Sequence, residues 1–285
     1  MIYFFKDEAG EQQMRQTLFE PVVYMDHWAV RQFSEDKPLR DRFIAALHRS
    51  GGTLLVSLHN FGEFSGVSDT EQAIAAEEFF DLALPRMFVA DFGADPGFIQ
   101  LHGRSTEDGK RENLILLELA RRWLDNGNKL TMAGLISDSD ENRAIVRSAL
   151  EELQIGIAKA VGSVKSDPEK VAFANIDKRA LGATLRDLVM NALLRDFVVD
   201  EKAVFGEHDS SDFVHAFGAV MSANLVLLDG RWAHIVNGAE KRLKKMGVTH
   251  RLPRAFPKRE LAQFLAALEA YPEDTGNKKA KPIPE

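Results

Sequence analysis

Five short runs along this chain read as strands buried on both faces: "PVVYMD" (21–26), "TLLVSL" (53–58), "RMFVAD" (86–91), "NLVLLD" (224–229) and "GVTHRL" (247–252). Strands without polar alternation belong to parallel sheets covered by helices on either side. The intervening sequence supplies such helices. "PLRDRFIAALHRSGG" sets Leu39, Phe43, Ala46 and Leu47 on one face and stops at Gly51 and Gly52, and "TEQAIAAEEFFDLAL" starts behind a capping Thr70. Strands alternating with helices predict an α/β fold.

Residues 97–200 read differently, as long amphipathic helices with no convincing strand. "ENLILLELARRWLDNG" ends at Gly127, and "DSDENRAIVRSALEELQIGIAKAVG" opens with Asp138 and Glu141 at capping-box spacing. "IDKRALGATLRDLVMNALLRDF" keeps Leu181, Leu185, Leu188, Val189 and Ala192 on one stripe. This stretch is expected to be an all-helical insertion between two halves of the sheet. The tail 272–285, "PEDTGNKKAKPIPE", lacks apolar residues to pack and is expected to be disordered.

Composition removes several chemistries. The chain has 285 residues and no cysteine, so disulfides, thiolate zinc sites and Cys nucleophiles are excluded. No apolar run approaches the roughly 20 residues of a membrane span, and the start is too short for a secretory signal, so the expectation is a cytoplasmic protein. Formal net charge is −7, yet residues 231–259 hold nine Lys or Arg against one acid, Glu240. That segment is either a solvated helix face or a phosphate-binding surface.

The acids fall at chosen places. Asp26 and Asp229 close two of the strand runs, Glu63 lies one helical turn past a third, and Asp212 starts "DFVHAFGAVMSA", which leads into the Asp229 strand. In open α/β sheets that edge is where ligands bind. Two unit charges about 5 Å apart repel by roughly 3 kcal/mol at an effective dielectric near 20. Converging carboxylates therefore need either protonation or a hard divalent cation such as Mg²⁺ or Mn²⁺. Such carboxylate sites suit phosphodiester hydrolysis.

Each acid also has a plainer reading. Asp26 could be a turn residue after its strand, although the apolar run is expected to set it at the sheet edge with no helix amide; Glu63 could be the third residue of a capping box with Asn60, and Asp209 could cap the helix that holds Asp212. Asp229 before Gly230 could form a turn. His208, His215 and His234 lie near the acids, and His27 reads as a surface residue. Arg31 and Arg231 could contact a phosphate, and Trp28 and Trp232 could stack on unpaired bases, although core packing is the commoner fate of a tryptophan.

In "VVYMD", in "VSLHNFGE" with Ser57 six positions before Glu63, and in "DFVHAFGAVMSANLVLLDGRW" with Asp212 seventeen positions before Asp229, the chain resembles the PIN-domain nucleases. The resemblance covers roughly 18–92 and 203–265 and leaves 97–200 unexplained. It implies a PIN-like parallel sheet of about five strands flanked by helices. Asp26, Glu63, Asp212 and Asp229 would be its catalytic acids, with Mg²⁺ or Mn²⁺ held among them and Asp209 as a further candidate ligand. It implies an endoribonuclease acting on RNA; the tryptophans would favour single strands, and Arg31, Arg231 and Trp232 are the candidates for the substrate side.

A toxin-like role with a protein inhibitor, and a homo-oligomer, are left open. The chain departs from the family where His27 and Trp28 follow the first Asp in place of a hydroxyl residue and Asn, and where Leu227 and Leu228 precede the last Asp. A catalytically weak or inactive PIN-like module that binds RNA or protein is the alternative. A haloacid-dehalogenase-type phosphatase is excluded locally, since position 28 is Trp where a second Asp is needed.

Overall fold

The computed structural model describes residues 1–6, 12–66, 70–90, 114–136, 140–174 and 183–275. A five-stranded, wholly parallel sheet forms from β3 (Val22–Met25), β4 (Thr53–Ser57), β5 (Met87–Ala90), β6 (Leu225–Leu227) and β7 (Arg254–Phe256), in the spatial order β5-β4-β3-β6-β7. All five strands fall within 18–92 and 203–265. β3 is central, pairing with β4 on one side and β6 on the other.

Alternation along the strands divides the core in two. Val22 and Tyr24 face α8 (Leu185–Val199), α9 (Glu207–Ser222) and α10 (Gly230–Lys245). Val23 and Met25 face α1 (His27–Glu35), α2 (Lys37–Ser50), α4 (Thr70–Ala83) and α11 (Leu261–Glu269). Both faces are buried, which is why the strands carry so few polar residues. Local signals set the helix ends: the Asp36 carboxylate accepts from Leu39 N–H at 3.1 Å to start α2, and Gly51 ends it with φ 64°. The sequence boundary at Gly127 is realised in the same way, with φ 63° after α5 (Leu114–Asp125).

The helices between β5 and α9 share these cores. α8, started by a Thr184–Asp187 capping box, adds Leu188, Val189, Ala192, Leu193 and Phe197 to the first face, and Leu119 of α5 joins the second. α6 (Asp140–Lys165) packs against both α9 and α3 (Leu58–Gly66), and α7 (Pro168–Ala174) packs against α6 and α8. The expected box at Asp138 and the stripe position Leu181 lie outside the described residues.

Two features depart from the sequence expectations. The fifth strand is "RAF" (254–256) and not "GVTHRL" (247–252). The backbone N–H groups of Gly247 and Val248 return to Lys244 and Leu243 carbonyls at the end of α10, and Leu252 N–H donates to Glu240, so this stretch is occupied in closing a helix. An antiparallel hairpin of β1 (Ile2–Lys6) and β2 (Gln12–Gln16) was not foreseen, because "QQMRQ" has no β-branched residue to announce a strand. It is tied to the sheet edge by the Gln16 amide, which bonds Val89 N–H at 2.8 Å and Val89 C=O at 3.1 Å.

In the tail, Asp274 N–H donates to Arg49 C=O at 2.9 Å and its carboxylate faces Arg86 at 3.5 Å; residues 276–285 lie outside the described part. Among the described residues no helix is long and apolar enough to cross a membrane.

Candidate metal centre

The strand order makes the gap between β3 and β6 the topological switch point, since the chain runs outward to β4 and β5 on one side and to β7 on the other. A crevice opens at such a point beyond the carboxyl ends of the strands. Asp26 leaves β3 there and Asp229 follows β6. Asp26 N–H still bonds Leu227 C=O at 3.0 Å, which holds the two strand ends in register.

Both acids turn out to be helix N-caps. Asp26, expected to lack a helix amide, accepts from His27 N–H at 2.5 Å at the start of α1. Strand passes into helix with no linker, so the strand-end residue and the cap are the same residue. At Asp229, Oδ1 accepts from Arg231 N–H at 2.6 Å and Trp232 N–H at 3.1 Å, while Oδ2 is buried with no hydrogen-bond partner. Asp212 projects from α9 toward this pair. One oxygen from each of Asp26, Asp212 and Asp229 lies within 4.8 Å of the others.

The crowding is felt in the acidities of Asp26 and Asp212. Burial pushes the Asp26 carboxyl up to about 6; the charges of Glu63 and Asp229 push the same way, and a charged His215 opposes them. Burial, then the neighbouring Asp229 and Asp26 charges, raise Asp212 to about 7. These carboxylates need positive charge.

Glu63 belongs to a second, coupled group. Helix α3 starts directly from β4 through a reciprocal cap: Ser57 Oγ accepts from Asn60 N–H at 3.1 Å, and Asn60 Oδ1 accepts from Ser57 N–H at 2.9 Å. Asn60 is thus the third residue of a cap begun by Ser57, and not a cap for Glu63. Its amide also donates to Met25 C=O at 3.1 Å, tying α3 to the end of β3.

One turn on, Glu63 Oε2 meets His215 Nε2 at 2.9 Å and Oε1 accepts from Ser211 Oγ at 3.2 Å. Burial alone would raise Glu63, but His215 outweighs it and holds the carboxyl at about 2. His215 is fully buried, and although burial would lower it, Glu63 and Tyr24 hold it well above the ordinary histidine value. Its Nδ1 bonds the Tyr24 hydroxyl. His59 Nε2 lies 3.8 Å from Glu63 Oε1 and 2.5 Å from Ser211 Oγ, and burial, with His215, pushes His59 down to about 3.

His59, Ser211 and Tyr24 escaped the sequence reading, in which Asn60 enters only as a cap for Glu63. A usable signal existed in the i, i+4 pairs His59–Glu63 and Ser211–His215, each of which places polar groups on one helix face.

The side chains of the remaining candidates do not join the group of three carboxylates. Asp209 Oδ2 accepts from Gly206 N–H at 3.1 Å and Oδ1 pairs with Arg231 at 2.5 Å, so both of its oxygens are engaged at the start of α9. Arg231, half-exposed, holds its guanidinium 4.5 Å above the Phe197 ring. Arg31 pairs with Glu35 at 2.8 Å on the surface of α1.

Trp232 is not a stacking platform for bases. It is fully buried, with ring centroids 5.7 Å from Phe197 and 6.0 Å from Phe213, because the first turn of α10 points this position into the core. His27 is half-buried 4.4 Å from the Phe64 ring, not at the surface, and burial lowers its basicity. His208 and His234 are exposed. Lys241, Lys244 and Lys245 sit toward the carboxyl end of α10, whose 16 residues span about 24 Å from the Asp229 cap, so this basic run is remote from the acids.

Three oxygen donors, one with an orphaned buried atom, match the preference of a hard divalent cation such as Mg²⁺ or Mn²⁺. Comparison of the chain with protein-family models, with curated proteins and with solved structures finds no match in any of the three.

Proposed function

We propose that this protein is a metal-dependent endoribonuclease with a PIN-like sheet, hydrolysing phosphodiester bonds of RNA at the β3–β6 crevice. The observation that carries the reading is the meeting of Asp26, Asp212 and Asp229 within 4.8 Å at the carboxyl edge of a parallel sheet, with Asp229 Oδ2 buried and unpartnered. These three residues would hold Mg²⁺ or Mn²⁺. When bound, such an ion activates a water and offsets charge on the attacked phosphate.

The chain's own groups prepare that chemistry. The caps at Asp26 and Asp229 fix each carboxylate against backbone N–H groups, so binding requires little reordering. Asp212, raised to about 7, holds a proton near neutrality until positive charge arrives. Asp209 holds Arg231 beside the Asp229 cap, where its planar fork can engage a phosphate of single-stranded RNA.

The capture of Glu63 by His215 favours the alternative of a catalytically weak module, since it removes one of the four acids from the group. A cleavage assay on RNA and DNA, with and without Mg²⁺ or Mn²⁺, decides between them. RNA cleavage that needs the divalent ion and is lost in Asp26→Asn, where the side chain can still cap α1, is the expected outcome. Undiminished turnover by that variant would refute the nuclease reading.

A further inference from the structure

We propose that His59, Glu63 and His215 form a second cation site, suited to a nitrogen-preferring divalent ion such as Zn²⁺ or Co²⁺, beside the all-oxygen group of Asp26, Asp212 and Asp229. His59 and Glu63 stand one turn apart on α3 and His215 faces them from α9. One ligand atom from each lies within 4.8 Å of the others. Ligands about 2.0–2.2 Å from a shared ion stand roughly 3–3.6 Å from one another. The separations of 2.9 Å (His215 Nε2 to Glu63 Oε2) and 3.8 Å (His59 Nε2 to Glu63 Oε1) bracket that range. Two imidazoles and a carboxylate are a donor set that zinc uses, and nitrogen donors favour the later first-row metals over Mg²⁺.

The surroundings point the same way. His215 Nδ1 bonds the Tyr24 hydroxyl, which lies 3.4 Å from Ser57 Oγ, and Ser57 Oγ donates to Asn60 Oδ1 at 2.9 Å. A metal-binding histidine is held by its other ring nitrogen in this manner. With Nδ1 held on Tyr24, His215 Nε2 faces the Glu63 carboxylate at 2.9 Å, so an ion bound here would take the place of the proton between them. The Ser211 hydroxyl donates to Glu63 Oε1 and meets His59 Nε2, holding both side chains at the same gap. His59, only 3% exposed, leaves its Nδ1 without a partner.

The test uses the full chain, stripped with a chelator and titrated with Co²⁺ while visible absorption reports nitrogen ligation, followed by competition with Zn²⁺. Two Co²⁺ per chain are expected. Asp229→Asn should remove the oxygen-ligated ion and spare the nitrogen-ligated spectrum, whereas His59→Gln and His215→Gln should weaken that second site at least about tenfold. Circular dichroism reports folding; if His215→Gln unfolds, His59→Gln and Tyr24→Phe carry the test.

A single Co²⁺ that is lost in Asp229→Asn and indifferent to His59→Gln would overturn the proposal and leave a proton between His215 and Glu63. The inference goes beyond the nuclease reading and fails separately from it. Mg²⁺-dependent RNA cleavage without nitrogen-ligated Co²⁺ sinks only the second site, and nitrogen-ligated Co²⁺ without cleavage sinks only the nuclease.

Discussion

Two groups of carboxylates sit at the same end of the sheet and behave in opposite ways. Asp26 and Asp212 are pushed up to about 6 and about 7, while Glu63 is held at about 2. Burial acts against the charged form in all three. What differs is the company: Glu63 has an imidazole nitrogen at 2.9 Å, and the aspartates have one another. A buried acid beside an imidazolium carries its own countercharge until a metal displaces that proton, and a buried acid without one is prepared for a cation from solution.

The sharpest way to break this contrast is to remove a charge from the aspartate group. Asp229→Asn should lower RNA cleavage by about 10³-fold, the rate equivalent of the several kcal/mol a metal supplies, while the urea midpoint holds or rises. Single-turnover assays in Mg²⁺ and a denaturation curve check both halves.

A reversed response is expected in the other group. His215→Leu leaves Glu63 buried and unpaired and should cost about 3–5 kcal/mol, whereas Asp212→Asn in chelator should cost less than about 1 kcal/mol or stabilise. Equal losses for both variants would erase the distinction between the groups.

The pH dependence separates the groups further. Between the ordinary aspartate value of 3.8 and the raised values of Asp26 and Asp212, the folded protein holds protons that the unfolded chain releases. Metal-free stability therefore falls as pH rises from about 4 to 7. Glu63 works in the opposite sense: its contribution is present above 4.5 and lost as pH falls toward about 2. Thermal melts across pH should show both limbs. Mg²⁺ at a hundredfold excess over its Kd should recover about 2.7 kcal/mol at pH 8 and little at pH 5.

The smallest effect belongs to Arg231, whose pairing with Asp209 is solvent-exposed. Arg231→Ala should cost less than about 1 kcal/mol in stability, and a rise in KM for RNA with an unchanged melt would place it on the substrate side.

Much of this was legible in the residues. Four of the five strands and the ends of α2 and α5 follow from runs such as "TLLVSL" and from Asp36, Gly51 and Gly127, because caps and apolar runs act over a few neighbours. Asp26, Asp212 and Asp229 were readable because strand ends at a sheet edge collect ligands. The failures have a common source. Val248 and Thr249 look like strand formers until the end of α10 claims the local amides, and Trp232 looks available until its helix turns it against Phe197 and Phe213.

By itself, the sequence determined a parallel α/β sheet covered on both faces and the placement of acids where its strands end, since periodicity and capping are properties of adjacent residues. Only the tertiary structure decided that Glu63 would leave those acids for His215, 152 positions away, and that Asp209 would take Arg231 instead of joining them. The choice of partner for a buried charge depends on which helices pack across the sheet. The meeting of Glu63 on α3 with His215 on α9 is decided by the whole core and not by any local segment.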